Sequence, residues 1–302
     1  MLVLISPEPG KMSQWIEETF AKGQTPPFSF MYDGKPSSRF ITKWKHSLNR
    51  EESLDEDIVR YTVSYCDPSA RLKVECVVTG YEDLAAVDWM LRFTNTSSRK
   101  SPVISDVRAL DYSMSSSESG AFVNLRLQGS LASKEDFIPI LDTLDSGASL
   151  TFAPRQGRSS DWDVCPFFNT MSPDGRGIVT AVGWTGSWYM GMDCRDRSLR
   201  LSSGMQVLET FLYPEETIRT PLVSMLFWEG GDLIAGCNRF RRHMLAHNMR
   251  QTNGQTTGVP MLANIAWTPL KPCSEQVCLN EWQAVANIHN YEQYGIHPDV
   301  DW

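Results

Sequence analysis

The chain has 302 residues, a net charge of −8, 41% hydrophobic and 21% charged residues. This composition belongs to globular proteins that bury a core, and the acidic balance argues against neutralising phosphate or anionic lipid, so neither nucleic acid nor a membrane is an expected partner. The length exceeds the soft prior of roughly 150 residues per domain, but all-β sandwiches run longer, so one large domain plus a further piece is expected.

The opening stretch "MLVLISPEPG" offers only Leu2 to Ile5 as an apolar run and no basic region. That is too short for a signal peptide or a span, and a cytoplasmic location is expected. From about Arg39 to Phe227 the pattern has mostly period two. Val74, Cys76 and Val78 alternate with polar neighbours, and Val87, Trp89, Leu91 and Phe93 line one side of "VDWMLRF", the signature of half-buried strands. Similar runs are "VRYTVSY", "PVISDVRAL", "AFVNLRL", "IVTAVGW", "QVLETFLY" and "PLVSMLF". Many short strands separated by Gly, Pro, Ser and Asn predict a large antiparallel β-sandwich.

Seven cysteines are an odd count without a disulfide framework. If "DPSA" turns a hairpin, Cys66 faces Arg71 and Cys76 falls opposite Tyr61, so reduced, structural thiols are expected. "LRLQGSLASKEDFIPI" (Leu125 to Ile140) places Lys134, Glu135 and Asp136 in a connection long enough to be a binding loop; a solvated charge cluster is the plainer reading. In "AVGWTGSWYMG" two indoles, Trp184 and Trp188, sit four apart around Gly186, as a pair that could stack on a sugar's C–H face would. Packing of both rings in the core is the alternative.

Asp232 is placed to cap a helix whose stripe is Leu233, Cys237, Phe240 and Met244. His243 and His247 have the i, i+4 spacing of a zinc helix, but Met244 stands where a zinc protease needs its glutamate, and no metal or other cofactor is expected. Beyond a boundary near Gly258, "VPMLANIAW" predicts a strand ending at Trp267. Ser274 caps a helix carrying Cys278, Trp282, Val285 and Ala286, Gly295 stops it, and "IHPDVDW" begins a second strand after Pro298. Strand, helix, strand is one βαβ unit, which cannot cover both faces of its own parallel strands and is expected to open a larger α/β domain. Asp299 and Asp301 share a strand face; retaining glycosidases hold two carboxyl groups about 5 Å apart from separate strands, so this pair is a poor catalytic candidate.

Taken together, "PFSFMYDGKPSS", "AVDWMLRFTNTSS", "GSLASKEDFIP", "CPFFNTMSPDGRGIVTAVGWTGSW", "LYPEETIRTPLVSMLFW" and "NRFRRHMLAHN" resemble, in order, the N-terminal region of bacterial α-galactosidases of the melibiase and raffinose-synthase clan. The resemblance implies a galactose-mutarotase-like β-supersandwich over residues 1–230, a helical linker over 231–257, and the beginning of a truncated (β/α)8 catalytic barrel over 258–302. It further implies retaining hydrolysis of terminal α-galactosides in oligosaccharides such as melibiose or raffinose, and a homo-oligomer in the full-length protein. Both catalytic carboxylates are expected beyond Trp302, which leaves this chain inactive alone. Substrate contact is expected from Trp184, Trp188, Asp136 and Trp267. A non-catalytic carbohydrate-binding or oligomerisation module is the alternative, and α-N-acetylgalactosaminides or galactosyl transfer are further options within the clan.

Overall fold

The structure, a computed structural model, describes residues 8–51, 55–69, 71–249, 251–252, 255–256, 262–263, 281–295 and 300–301. They belong to two compact units, Met1–His243 and Met244–Trp302. In chain order the first holds helix α1 (Met12–Thr19), then strands β1 (Ser29–Tyr32), β2 (Lys35–Pro36), β3 (Lys45–Glu51), β4 (Ile58–Cys66) and β5 (Leu72–Tyr81). Next come β6 (Ala86–Asn95), β7 (Ile104–Ser115), β8 (Phe122–Leu127), β9 (Pro139–Leu144), β10 (Ser149–Phe152) and β11 (Phe167–Met171). The remainder is β12 (Arg176–Gly183), β13 (Trp188–Arg195), β14 (Ser198–Met205), β15 (Glu209–Thr210), β16 (Thr217–Arg219), β17 (Leu222–Glu229) and helix α2 (Leu233–His243).

These strands form two antiparallel sheets, as the period-two pattern predicts. One has seven strands in the order β10-β13-β14-β7-β1-β2, with β15 also on β7. The other has ten, β3-β4-β5-β6-β17-β12-β11-β8-β9, with β16 also on β6. The alternating residues of β5 and β6, Val74, Cys76, Val78, Trp89, Leu91 and Phe93, are all buried. Each such apolar side chain removed from water contributes on the order of 1.5–3 kcal/mol. Aromatic rings couple the sheets: Phe30 meets Phe93 edge-on at 5.1 Å, Phe168 meets Trp188 at 6.0 Å, and the Trp89 indole N–H donates to the Ala109 carbonyl at 2.7 Å.

Two expectations are corrected. The β4–β5 hairpin pairs Cys66 with Lys73 and Cys76 with Val63, not Arg71 and Tyr61. The Asp67 N–H closes the loop on the Leu72 carbonyl, which lengthens the turn. The register therefore shifts by two residues, and a two-residue shift leaves every side chain on its expected face. Cys66, Cys76, Cys165, Cys194 and Cys237 are free thiols. "QVLETFLY" supplies only the two residues of β15, because the chain leaves β7 after Thr210 and Leu212 turns into the core, its N–H held by the Ser101 hydroxyl at 2.9 Å.

Helix α1 has no counterpart in the sequence reading. Its N-cap residue, Lys11, gives no side-chain cap; the Glu82 carboxylate, 70 residues on, accepts the N–H groups of Met12 and Ser13 at 2.7 and 2.8 Å. Partial burial alone would raise that carboxyl, but these bonds outweigh it and hold it below the ordinary range. Gly80 lets the helix sit down, since a Cβ there would lie 2.7 Å from Ile16.

Helix α2 packs on the outer face of the ten-stranded sheet. Asp232 does cap it, accepting the Ile234 N–H at 2.9 Å, and its buried face is Gly236, Phe240 and His243. The Trp228 ring fills the space between Gly177 on the neighbouring strand and Gly236 on the helix. Its N–H donates to Asn169, whose amide in turn donates to the Leu233 carbonyl at 2.7 Å.

In the second unit, β20 (Leu262–Ala263) and β21 (Val300–Asp301) pair in parallel, and helix α3 (Glu281–Gln293) lies between them in sequence; β18 (Gln251–Thr252) and β19 (Gln255–Thr256) form a short hairpin. The strand-helix-strand order agrees with expectation. Gly295, at φ +68°, follows the end of α3, a position that suits a glycine. Trp282 and Val285 of α3 are exposed, at 60% and 47%. No described helix is long and apolar enough to cross a membrane.

Gly177→Ala should test the Trp228 contact, because the added methyl meets the indole of a side chain fixed by its hydrogen bond. Overpacking of this kind costs about 1–3 kcal/mol, read as a lower urea midpoint with an unchanged slope.

Candidate functional site

Three connections meet at one end of the sandwich. The loop over 128–138 joins β8 to β9, the loop over 153–166 crosses from β10 of one sheet to β11 of the other, and the turn over 184–187 crosses back from β12 to β13. The first two are stitched together by backbone bonds: the Ser130 N–H donates to Ser160 at 2.9 Å, Trp162 to Ser130 at 3.3 Å, and Cys165 to Leu127 at 3.0 Å. Gly129 is required there, since a Cβ would lie 2.7 Å from the Asp161 carbonyl carbon. The turn joins the cluster through Trp188, whose indole N–H donates to the Ser159 carbonyl at 2.9 Å.

Trp188 is fully buried against Phe168. A ring with no exposed face cannot stack on a sugar, so this indole packs, as the alternative reading had it, and supports the loop above it. Trp184 is half-buried at the tip of the turn, resting on the core with the Arg219 guanidinium 5.1 Å from its ring centroid. Trp267 lies outside the described residues.

Asp136 lies in the first loop with all its acceptor capacity turned inward. It receives the Leu131 N–H at 2.8 Å, the Ala132 N–H at 3.0 Å, and the hydroxyls of Ser130 at 2.7 Å and Ser133 at 3.3 Å. The Leu131 and Ser130 bonds lower its carboxyl below the usual aspartate value. Four donors on one carboxylate hold a short loop in one shape, with Lys134 and Glu135 at its exposed rim.

That shape is strained. Ala132, Phe137 and Trp162 adopt φ of +59°, +61° and +54°, where a side chain costs on the order of 1–3 kcal/mol. Phe137 is also 52% exposed, with Leu131 and Ile138 exposed beside it. Arg155 pairs with Asp163 at 2.6 Å and covers the Trp162 ring, while Arg126 pairs with Asp142 at 2.9 Å and reaches the Asp163 carbonyl. The sequence reading missed Phe137, Trp162 and Arg126. A phenylalanine directly after a charged run was the available signal. The cluster presents the apolar side chains of Phe137, Leu131 and Ile138, the indoles of Trp162 and Trp184, and hydrogen-bonding groups, the equipment of a binding surface.

Elsewhere, His243 is buried on α2, its ring 4.6 Å from that of Tyr81 and its Nε2 3.9 Å from Asp88. It packs the helix onto the sheet. Among the described residues no group of His, Cys, Asp and Glu is placed to hold a metal.

Replacing the Asp136 carboxylate tests its role. In Asp136→Asn, hydrogen-exchange protection of the Leu131 and Ala132 amides should fall several-fold while that of β8 is kept. Because the folded carboxyl is lowered, its contribution is present above the ordinary aspartate pKa and is lost as pH falls through the lowered value. Protection of the same two amides in the wild type, corrected for intrinsic rates, should disappear over that acid range. Equal protection in both proteins would remove Asp136 from this role.

No protein-family model matches the sequence, and no curated protein does. Solved structures do. The GH36 α-galactosidase AgaA from Geobacillus stearothermophilus is similar over 91% of this chain and 39% of its own, at 16% identity and a TM-score of 0.57. The galactosidase domain of the α-galactosidase–sucrose kinase AgaSK matches 81% of this chain and 35% of its own, at 16% identity and 0.59. An α-galactosidase from Lactobacillus brevis matches 91% and 37%, at 15% identity and 0.56. The chain thus spans between 35% and 39% of the length of these proteins. At such identity the likeness shows the fold, and the fold of this chain is that of the N-terminal β-sandwich of GH36 α-galactosidases.

Proposed function

We propose that this chain is the N-terminal part of a retaining α-galactosidase-like glycoside hydrolase acting on terminal α-galactosides such as melibiose or raffinose. The likeness to the AgaA fold over 91% of the chain carries this reading, and AgaA variants have been solved in complex with raffinose and with stachyose. In this reading residues 1–230 are the sandwich, 231–257 the linker and 258–302 the opening of the catalytic barrel. The parallel pairing of β20 with β21 supports the last of these.

A retaining mechanism needs one carboxylate as nucleophile and a second carboxyl group as acid and then base, close together across the scissile bond. Both belong, in this proposal, to the part of the enzyme outside these residues. The sandwich contributes substrate contact through the loop cluster, with Trp184 and the loop held by Asp136 facing the saccharide and Trp188 supporting them from beneath. A cytoplasmic homo-oligomer completes the proposal.

The purified chain should release no galactose from melibiose or raffinose. The product of the gene extended past the Trp302 codon should release it, first as the α-anomer followed by NMR. Turnover by the chain alone, or a β-anomer from the longer protein, would sink the proposal.

A further inference from the structure

The outer face of the seven-stranded sheet holds a hollow of about 350 Å³ whose lining includes Arg108, Thr151, Tyr189, Asp193, Arg200 and Ser202. That volume falls within the range of small-molecule sites. Its floor is a cross-strand row of short residues: Thr151 on β10 pairs with Gly191 on β13, and Gly191 with Ser202 on β14. Two residues along β13 in either direction, and so on the same face, stand Tyr189 and Asp193, the latter paired with Arg200. The row of short side chains is the depression, and its taller neighbours are the walls. The Tyr189 ring leans over the gap, 4.0 Å from where a Gly191 Cβ would be.

Each guanidinium at the hollow already has a carboxylate partner. Arg200 donates to both oxygens of Asp111 at 2.6 and 2.7 Å, Arg108 pairs with Asp106 at 2.9 Å, and Asp193 accepts the Ser149 hydroxyl at 2.6 Å. Two guanidiniums against three carboxylates leave no surplus positive charge for an anion. Beside these paired groups the Thr151 and Ser202 hydroxyls and the Gln206 amide also line the hollow. Burial raises the Tyr189 phenol, with Arg108 opposing it, so the ring keeps its proton at neutral pH and offers a donor beside an apolar face. Donors and acceptors in quantity, carboxylate oxygens that can accept from hydroxyls, no surplus positive charge and one aromatic ring suit a pyranose, with hydroxyls around its rim and C–H groups on its face.

We infer that this hollow is a binding pocket for a neutral pyranose unit. The inference stands on the chemistry of the hollow and does not depend on the hydrolase reading. Titration calorimetry of the 302-residue chain with galactose, melibiose, raffinose and inorganic phosphate tests it. Saturable binding is expected for at least one saccharide and none for phosphate. Thr151→Trp fills the hollow from an edge strand and Tyr189→Ala removes the ring; at least one of them, with unchanged far-UV circular dichroism, should weaken that binding about tenfold or more, on the order of 1.4 kcal/mol. Absence of saturable binding to all three saccharides overturns the inference, as does phosphate binding in their place or an affinity unchanged in both variants. Galactose release by the extended protein is a separate measurement, so the two readings fail independently.

Discussion

A buried indole must bring its one N–H to an acceptor or forgo a hydrogen bond it had in water, a loss of about 1–3 kcal/mol. Three tryptophans of the first unit meet that demand, and each ties together elements distant in the chain. Trp89 reaches across the sandwich to the Ala109 carbonyl and ties the two sheets. Trp228 reaches Asn169, whose amide holds the first turn of α2. Trp188 reaches out of the core to Ser159 and fixes the long crossover loop. Trp15 is the contrast: its N–H is buried without an acceptor, so α1 is held by its ring against Phe227 and by the remote Glu82 cap.

The anchoring of the crossover loop explains how strain can persist above it. Three residues at positive φ would relax if the loops could move. Hydrogen bonds oppose that motion: Ser159 and Ser160 are held from one side by Trp188 and from the other by Ser130, while Asp136 gathers four donors inside its own loop. The consequence is a phenylalanine, Phe137, left exposed at the rim of the loop. Left to itself, such a ring would fold onto the nearest apolar surface.

What was legible in the sequence follows from how local each cause is. The strands were legible because alternation is written residue by residue, and β4, β5 and β6 bury the side chains that the pattern selects. Helix α2 was legible because its cap Asp232 precedes it directly in the chain, but its buried face is Gly236, Phe240 and His243, and of the expected stripe Leu233, Cys237, Phe240 and Met244 only Phe240 is buried. Helix α1 was not legible, because its cap comes from Glu82. The hairpin register was off by two, as turn length is decided by a closing bond between Asp67 and Leu72 that composition does not announce. Trp184 and Trp188, identical in kind and four apart, were indistinguishable until β13 was seen to begin at Trp188 and point it inward.

The hollow on the seven-stranded sheet was the least legible feature, because its residues are gathered by register and not by spacing. Thr151, Gly191 and Ser202 stand on three strands, and no spacing in sequence relates them. What brings them into one row is the core on the opposite side of the sheet. Trp188, Met190, Met192 and Cys194 of β13 must all face inward with Leu199 and Leu201 of β14, and all six are buried. With the inner residues committed, the outer ones are committed too, since a slip of one residue would turn the whole set over. The register that packs the core therefore also places a glycine beside a serine and a threonine, with a tyrosine on one side and an aspartate–arginine pair on the other. A glycine within a strand weakens it and marks close approach by something else. Here a Cβ would press on the Ser202 hydroxyl at 2.7 Å, so Gly191 keeps the floor of the hollow open and leaves that hydroxyl free to turn outward.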